Sequence, residues 1–142
     1  KNMNIDGVST GIVLDHIKAG KSMQIYELLG LEKLDCCVAI IQNAQSSKYG
    51  KKDIIKIDGK IDLDFDILGY IDNNITVNVV SDGHLEKKVH LDLPETLTNV
   101  IKCKNPRCIT SIEQEIPHKF KLVDREHKVY RCIYCDAEYT EY

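Results

Sequence analysis

The stretch "NITVNVVSDGHLEKKVHLDL", Asn74 to Leu93, decides the fold. Its first part is β-branched with polar residues interleaved, its second is equally strand-prone, and Asp82-Gly83 between them is a dipeptide that favours a tight hairpin turn. Two strands joined at 82–83 are therefore predicted. Working backward, "IDLDFDILGYID" (61–72) can set Leu63, Ile67, Leu68, Tyr70 and Ile71 along one face of a helix. "CCVAIIQ" (Cys36 to Gln42) and "DIIKID" (Asp53 to Asp58) read as strands flanking a long connection, "NAQSSKYGKK". "KSMQIYELLG" reads as a short helix with Met23, Tyr26 and Leu29 inward and Gly30 as its stop, and "VSTGIVLDHI" (Val8 to Ile17) as the first strand. The order β-α-β-β-α-β-β is that of a split βαβ, ferredoxin-like α+β plan. An added strand extends the antiparallel sheet, and two helices cover one face.

After Leu93-Pro94 the pattern changes to close cysteine pairs, short β-prone runs and turn residues, which places a domain boundary near residues 94–99. With 142 residues, 43% of them hydrophobic and 29% charged, the chain has material for one ordinary core or two small ones. It contains no apolar run of about 18 residues or more. The start "KNMNIDGVSTG" lacks the basic-then-apolar order of a secretory signal. A cytoplasmic protein without membrane association is expected. The net charge of −3 gives no basic face for nucleic acid, and both halves agree: 11 Lys/Arg against 14 Asp/Glu up to residue 94, and 8 against 8 beyond it.

In a reducing compartment, clustered cysteines read as metal ligands before disulfides. "CKNPRC" (Cys103, Cys108) and "CIYC" (Cys132, Cys135) supply two close pairs, the arrangement by which two short loops aim four thiolates at one tetrahedral ion. A remainder of fewer than 50 residues cannot rely on a hydrophobic core alone, so one zinc ion is expected as its staple. Four Cys ligands leave no open coordination position, which makes that zinc structural. "HKVYRCIYCDAEYTEY" is expected to form a hairpin with the metal at its turn, with Pro106 fixing the other loop. Cys36 and Cys37 lie in an apolar run and read as core. His118 and His127 read as surface residues.

No catalytic signature is visible. "AGKS" (Ala19 to Ser22) lacks the upstream glycine of a phosphate loop, since position 15 is Asp15, and no GxSxG, HExxH or dinucleotide fingerprint occurs. The adjacent Asp15 and His16, and Lys52, Asp53 and Lys56 after the loop, read as solvated strand positions. A second reading has Lys56 converging with Lys88 to hold a triphosphate.

Taken together, "GIVLDHI", "GKKDIIKID", "TVNVV", the junction "LPETLTNVIKC" and the two cysteine pairs resemble the regulatory chain of aspartate carbamoyltransferase along essentially the whole sequence. The resemblance implies a non-catalytic subunit. Residues 1–94 would form an allosteric nucleotide-binding domain, and residues 95–142 a zinc domain that contacts the catalytic chain. It implies a homodimer of regulatory chains, CTP and ATP as effectors, and a role in pyrimidine biosynthesis. It assigns Asp15, His16, Lys56 and Lys88 to the nucleotide's sugar and phosphates. Asp6, Gly7, Val8 and Val13 would line the site, and Asn78, Val80 and Leu85 would enclose the base. Cys103, Cys108, Cys132 and Cys135 would be the zinc ligands.

Overall fold

The computed structural model describes residues 9–48 and 50–140. The chain divides into two compact units between Asp92 and Leu93. The first contains β1 (Gly11–Lys18), α1 (Ser22–Leu28), a 3₁₀ turn (Leu31–Lys33), β2 (Cys37–Ser46), β3 (Gly50–Asp58), α2 (Phe65–Ile71), β4 (Thr76–Ser81) and β5 (His84–His90). The five strands form one antiparallel sheet in the order β2-β3-β1-β4-β5, the ferredoxin-like plan with its added edge strand.

Alternation along the strands sorts the side chains. Ile12, Leu14 and Ile17 of β1, Ile55 and Ile57 of β3 and Val77 of β4 point to the face that meets Ile25 of α1 and Leu68 and Ile71 of α2. Val13, Ile54 and Val80 form a smaller cluster on the other face. Helix α2 starts where the Asp64 carboxylate accepts from the Asp66 and Ile67 backbone N–H groups at 3.0 and 3.2 Å, satisfying two otherwise orphaned donors. Its Gly69 is pressed on the chain that leaves the unit: a Cβ there would lie 2.2 Å from the Asp92 carbonyl oxygen. Gly69→Ala is expected to lower the stability of this unit by about 1–3 kcal/mol, because backbone must move to admit the methyl group. A urea midpoint equal to that of the native chain would refute this.

In α1 the inward residues are Ser22 and Ile25, with Tyr26 and Leu29 half-buried, while Met23 is 45% exposed. A helix of two turns has too few residues for spacing to choose its face, and packing of Ile25 into the core cluster settles it. The connection between β2 and β3 is shorter than expected, because the polar residues of "NAQSSKYGKK" continue the ladder down to the pair Ser46 and Gly50. Both strands are largely exposed there, so backbone bonding proceeds without an apolar pattern. Cys36 packs on the core as expected, but Cys37, on the opposite side of the strand, is exposed.

Two irregularities flank β3. Between Leu14 and Ile17, β1 holds one residue more than the matching stretch Ile55 to Asp53. Between Ile41 and Ala44, β2 holds one more than Ile54 to Lys52. These are β-bulges, and each contains a left-handed residue, His16 (φ 61°) and Asn43 (φ 60°). Consecutive residues of β3 pin them. The Lys52 ammonium lies 2.9 Å from the Asp15 carboxylate in the first bulge. The Asp53 carboxylate accepts from the Asn43 N–H of the second at 3.0 Å, and from Gly20 and Ser22 N–H at 3.1 and 3.4 Å. Asp53 is completely buried. Burial works to raise its pKa, yet the hydrogen bonds from Ser22, Asn43 and Gly20 outweigh it and hold the carboxyl below the usual aspartate value.

The second unit has β6 (Thr96–Thr98), a single helical turn α3 (Ile109–Ile112), β7 (Lys119–Asp124) and β8 (Val129–Cys132), with an antiparallel sheet β6-β7-β8. Among its described residues the buried apolar side chains are Leu97, Ile101, Phe120 and Tyr130, together with cysteines. Among the described residues, no helix is long and apolar enough to cross a membrane.

Candidate functional sites

The four cysteines after residue 100 meet at one point. All four Sγ atoms lie within 4.8 Å of one another, with Cys103 to Cys135 at 3.6 Å and Cys108 to Cys132 at 3.7 Å. Disulfide sulfurs are about 2.05 Å apart, so these are separate thiols. A tetrahedron with metal–sulfur bonds of about 2.3 Å has sulfur–sulfur edges of about 3.8 Å, close to the Cys103–Cys135 and Cys108–Cys132 separations. Zinc therefore fits the donor set in number, chemistry and spacing.

Local structure explains how each loop aims its sulfurs. In the first, the Asn105 side chain accepts from Arg107 N–H at 3.1 Å and its carbonyl accepts from Cys108 N–H at 3.0 Å, closing a turn around Pro106. In the second, Asp136 N–H donates to the Cys132 carbonyl at 2.9 Å, with Asp136 itself left-handed (φ 64°). Beyond it the chain returns alongside β8, through Cys132 N–H to Ala137 O and Tyr139 N–H to Tyr130 O, both 2.9 Å, so the metal loop stands at the turn of a short hairpin. Thr110 Oγ1 lies 3.1 Å from Cys108 Sγ, and Tyr134 N–H donates to Cys132 Sγ at 3.4 Å. Such contacts stabilise thiolate charge.

Without a dication the thiols titrate unequally. Burial is the main cause that pushes Cys103 up to about 12. Burial opposes ionisation of Cys135 as well, but hydrogen bonds from Asn105, Ala137 and the neighbouring thiols bring it down to about 7. Four crowded sulfurs can share little negative charge on their own, and a divalent cation removes that restriction.

His118 is not the free surface residue expected. Its Nδ1 accepts from the Cys103 backbone N–H at 3.1 Å. His127 is exposed and bonds to Asp124 at 2.8 Å, away from the cage.

In the first unit, the residues singled out for nucleotide contact fall into a pattern. Lys56 pairs with Val13, Val13 with Asn78, and Asn78 with Lys88, so four strands place these side chains in a single row across one face of the sheet. Asn78 Nδ2 donates to the Val13 carbonyl at 3.4 Å, fixing the middle of the row. Val80 pairs with Leu85 at the next level; Val80 is buried and Leu85 is 48% exposed. The bulge in β1 changes what alternation would dictate for Asp15 and His16. Asp15 pairs with Thr76 in the ladder, and His16 Nδ1 lies 3.2 Å from Thr76 Oγ1, so both consecutive side chains reach the same flank. His16 also lines a cleft of about 670 Å³ with Lys18, Lys21, Lys51, Asp72 and Asn74. Sequence reasoning missed Lys52 as the partner of Asp15, since that pairing depends on the bulge. Asp6, Gly7 and Val8 lie outside the described residues.

Fold and site together define a two-domain chain, a ferredoxin-like unit followed by a small β unit built on a four-cysteine metal site. Two family descriptions cover the chain: aspartate carbamoyltransferase regulatory chain, allosteric domain, matches residues 3–92, and the metal binding domain of the same chain matches residues 95–142. The sequence is 53% identical, over 97% of its length and 94% of the relative's, to the aspartate carbamoyltransferase regulatory chain of Clostridium botulinum. It is 50% identical to that of Clostridium acetobutylicum, over 96% of this chain and 94% of that one. With that of Bifidobacterium longum it shares 43% identity, over 96% and 98%. The chain belongs to the aspartate carbamoyltransferase regulatory chain family, and is a regulatory, non-catalytic subunit with an allosteric domain and a metal-binding domain.

Proposed function

We propose that this chain binds nucleoside triphosphates, CTP and ATP, on the sheet face of its first unit, and that its zinc unit holds the catalytic chain whose activity in pyrimidine synthesis the nucleotide adjusts. The observation that carries the nucleotide reading is the row Lys56, Val13, Asn78, Lys88. Three inter-strand spacings separate its two lysines, about 14 Å between backbones. Two flexible ammonium arms of about 6 Å each can close on a polyphosphate laid across that span. Asn78 and the Val13 backbone lie between them for a sugar or base edge, and Val80 with Leu85 offers an apolar patch to the base. Asp15 and His16, brought to the same flank by the bulge, complete the polar side of the site, with Asp6, Gly7 and Val8 proposed to close it.

Docking of the catalytic chain is supported by the rim of the metal cage. Ile109 and Ile112 follow Cys108, Ile133 and Tyr134 lie between Cys132 and Cys135, and all four are 41–64% exposed. Apolar side chains concentrated around a rigid metal loop suit a protein partner. The position of β2 at one end of the sheet suits a second copy of the regulatory chain. Regulation then requires that nucleotide bind two quaternary states unequally, by about 1–3 kcal/mol.

Calorimetry on the assembled complex tests the site. Lys56→Ala and Lys88→Ala are each expected to weaken CTP and ATP binding by about 10-fold or more, the worth of a lost charge-assisted hydrogen bond. Native affinity in both variants would rule the row out as the phosphate site.

A further inference from the structure

We infer that His118 is a positioning residue of the metal centre, holding the two cysteine loops in register through bonds that do not pass through the metal. Its backbone is clamped first: His118 N–H donates to Asn99 Oδ1 at 3.0 Å, and Asn99 N–H donates to the His118 carbonyl at 2.7 Å. So fixed, the ring accepts the Cys103 N–H through Nδ1 at 3.1 Å, which assigns the ring proton to Nε2 and orients the first cysteine loop. The next residue reaches the other loop. The Lys119 carbonyl accepts the Ile133 N–H at 3.0 Å, immediately after Cys132. One dipeptide at the start of β7 thus brackets both halves of a cage whose ligands are far apart in sequence.

Cys103 precedes the turn at Asn105–Cys108 that shapes the rest of its loop. It lies in no helix or strand, and Pro106 removes one backbone donor from its loop. A cage whose halves are aligned by protein bonds loses less order-related free energy on metal entry and opens less readily for metal exit. Partners of this outer kind are worth about 10- to 100-fold in metal affinity.

The test is the rate at which a chromophoric chelator removes zinc from the intact chain, compared among native, His118→Leu and His118→Asn proteins. Asparagine can place an acceptor where Nδ1 stands, and leucine fills similar space without one. The Leu variant is expected to release zinc about 10-fold faster, or to purify without it, and the Asn variant to stay within about 3-fold of native. The sulfur-to-metal charge-transfer band of cobalt-substituted protein should shift in the Leu variant and be restored in the Asn variant. Native release rates in the Leu variant, or equal acceleration in both variants, would overturn the assignment. It rests on the four-cysteine metal reading, and a native chain that purifies with no zinc would overturn both.

Discussion

Withdrawal of zinc by a strong chelator should unfold the second unit completely while leaving the ferredoxin-like unit folded. The reason is size. Apart from the cysteines, the buried apolar side chains among its described residues are Leu97, Ile101, Phe120 and Tyr130. Burying each contributes about 2–3 kcal/mol. So few buried side chains do not hold a unit of this size without a staple. Zinc binding to such cysteine sets is worth about 10–16 kcal/mol near neutral pH, and in a unit of this kind it is folding free energy. The outcome is read by hydrogen exchange: amides of β6, β7 and β8 should lose protection on chelation, and those of β1, β3 and β4 should keep it. If the catalytic chain docks on the cage rim, it should separate in the same experiment. Retained protection in β7 and β8 after zinc loss would show that the metal is not what holds this unit together.

The second large effect is expected at Asp53. Replacing it with alanine leaves the N–H groups of Gly20, Ser22 and Asn43 without their acceptor in a site of zero exposure. Buried donors left unpaired cost about 1–3 kcal/mol each, and allowing for relaxation a loss on the order of 3–5 kcal/mol is expected for the first unit. Its pH dependence has a definite sign. Because the folded carboxyl titrates below an unfolded aspartate, at about 3.9, its contribution is fully present above that value. It is lost as pH falls through the lower, folded value. Urea denaturation of native and Asp53→Asn proteins should therefore diverge at neutral pH and converge in strong acid. A difference that stays constant across that range would mean that the carboxylate's charge contributes nothing.

What the sequence disclosed and what it withheld divide along physical lines. The metal cage was legible because loop closure within each cysteine pair is local, and four soft ligands leave few alternatives to zinc. The strands of the first sheet were legible from alternation, and the Asp82-Gly83 turn from its need for left-handed backbone, met by Asp82 at φ 52° and Gly83 at φ 79°. Features that depend on distant partners were not. Nothing local in "HKFKLVD" says that it will be the central strand of the second sheet, between β6 and β8. The inward choice of Ile25 over Met23 is made by packing that spacing alone does not contain. That Lys56 and Lys88 stand in one row follows only once β1 and β4 are known to run between their strands. His118 gave no signal at all, because its partner is a backbone N–H fifteen residues earlier.

The bulge in β1 has a consequence for how such a sheet can vary. Ile12 and Leu14 point into the core before it, and Ile17 does after it; with His16 removed, the inside-outside rhythm would run on unbroken. In register terms His16 is a supernumerary residue, one that the hydrophobic pattern does not count. The same holds for the extra residue of β2 beside Asn43. The sheet thus keeps two places where side chains can be exchanged without disturbing what is buried, limited by the few residue types that tolerate positive φ. One of them lies beside Asp15, where a change of chemistry would matter most.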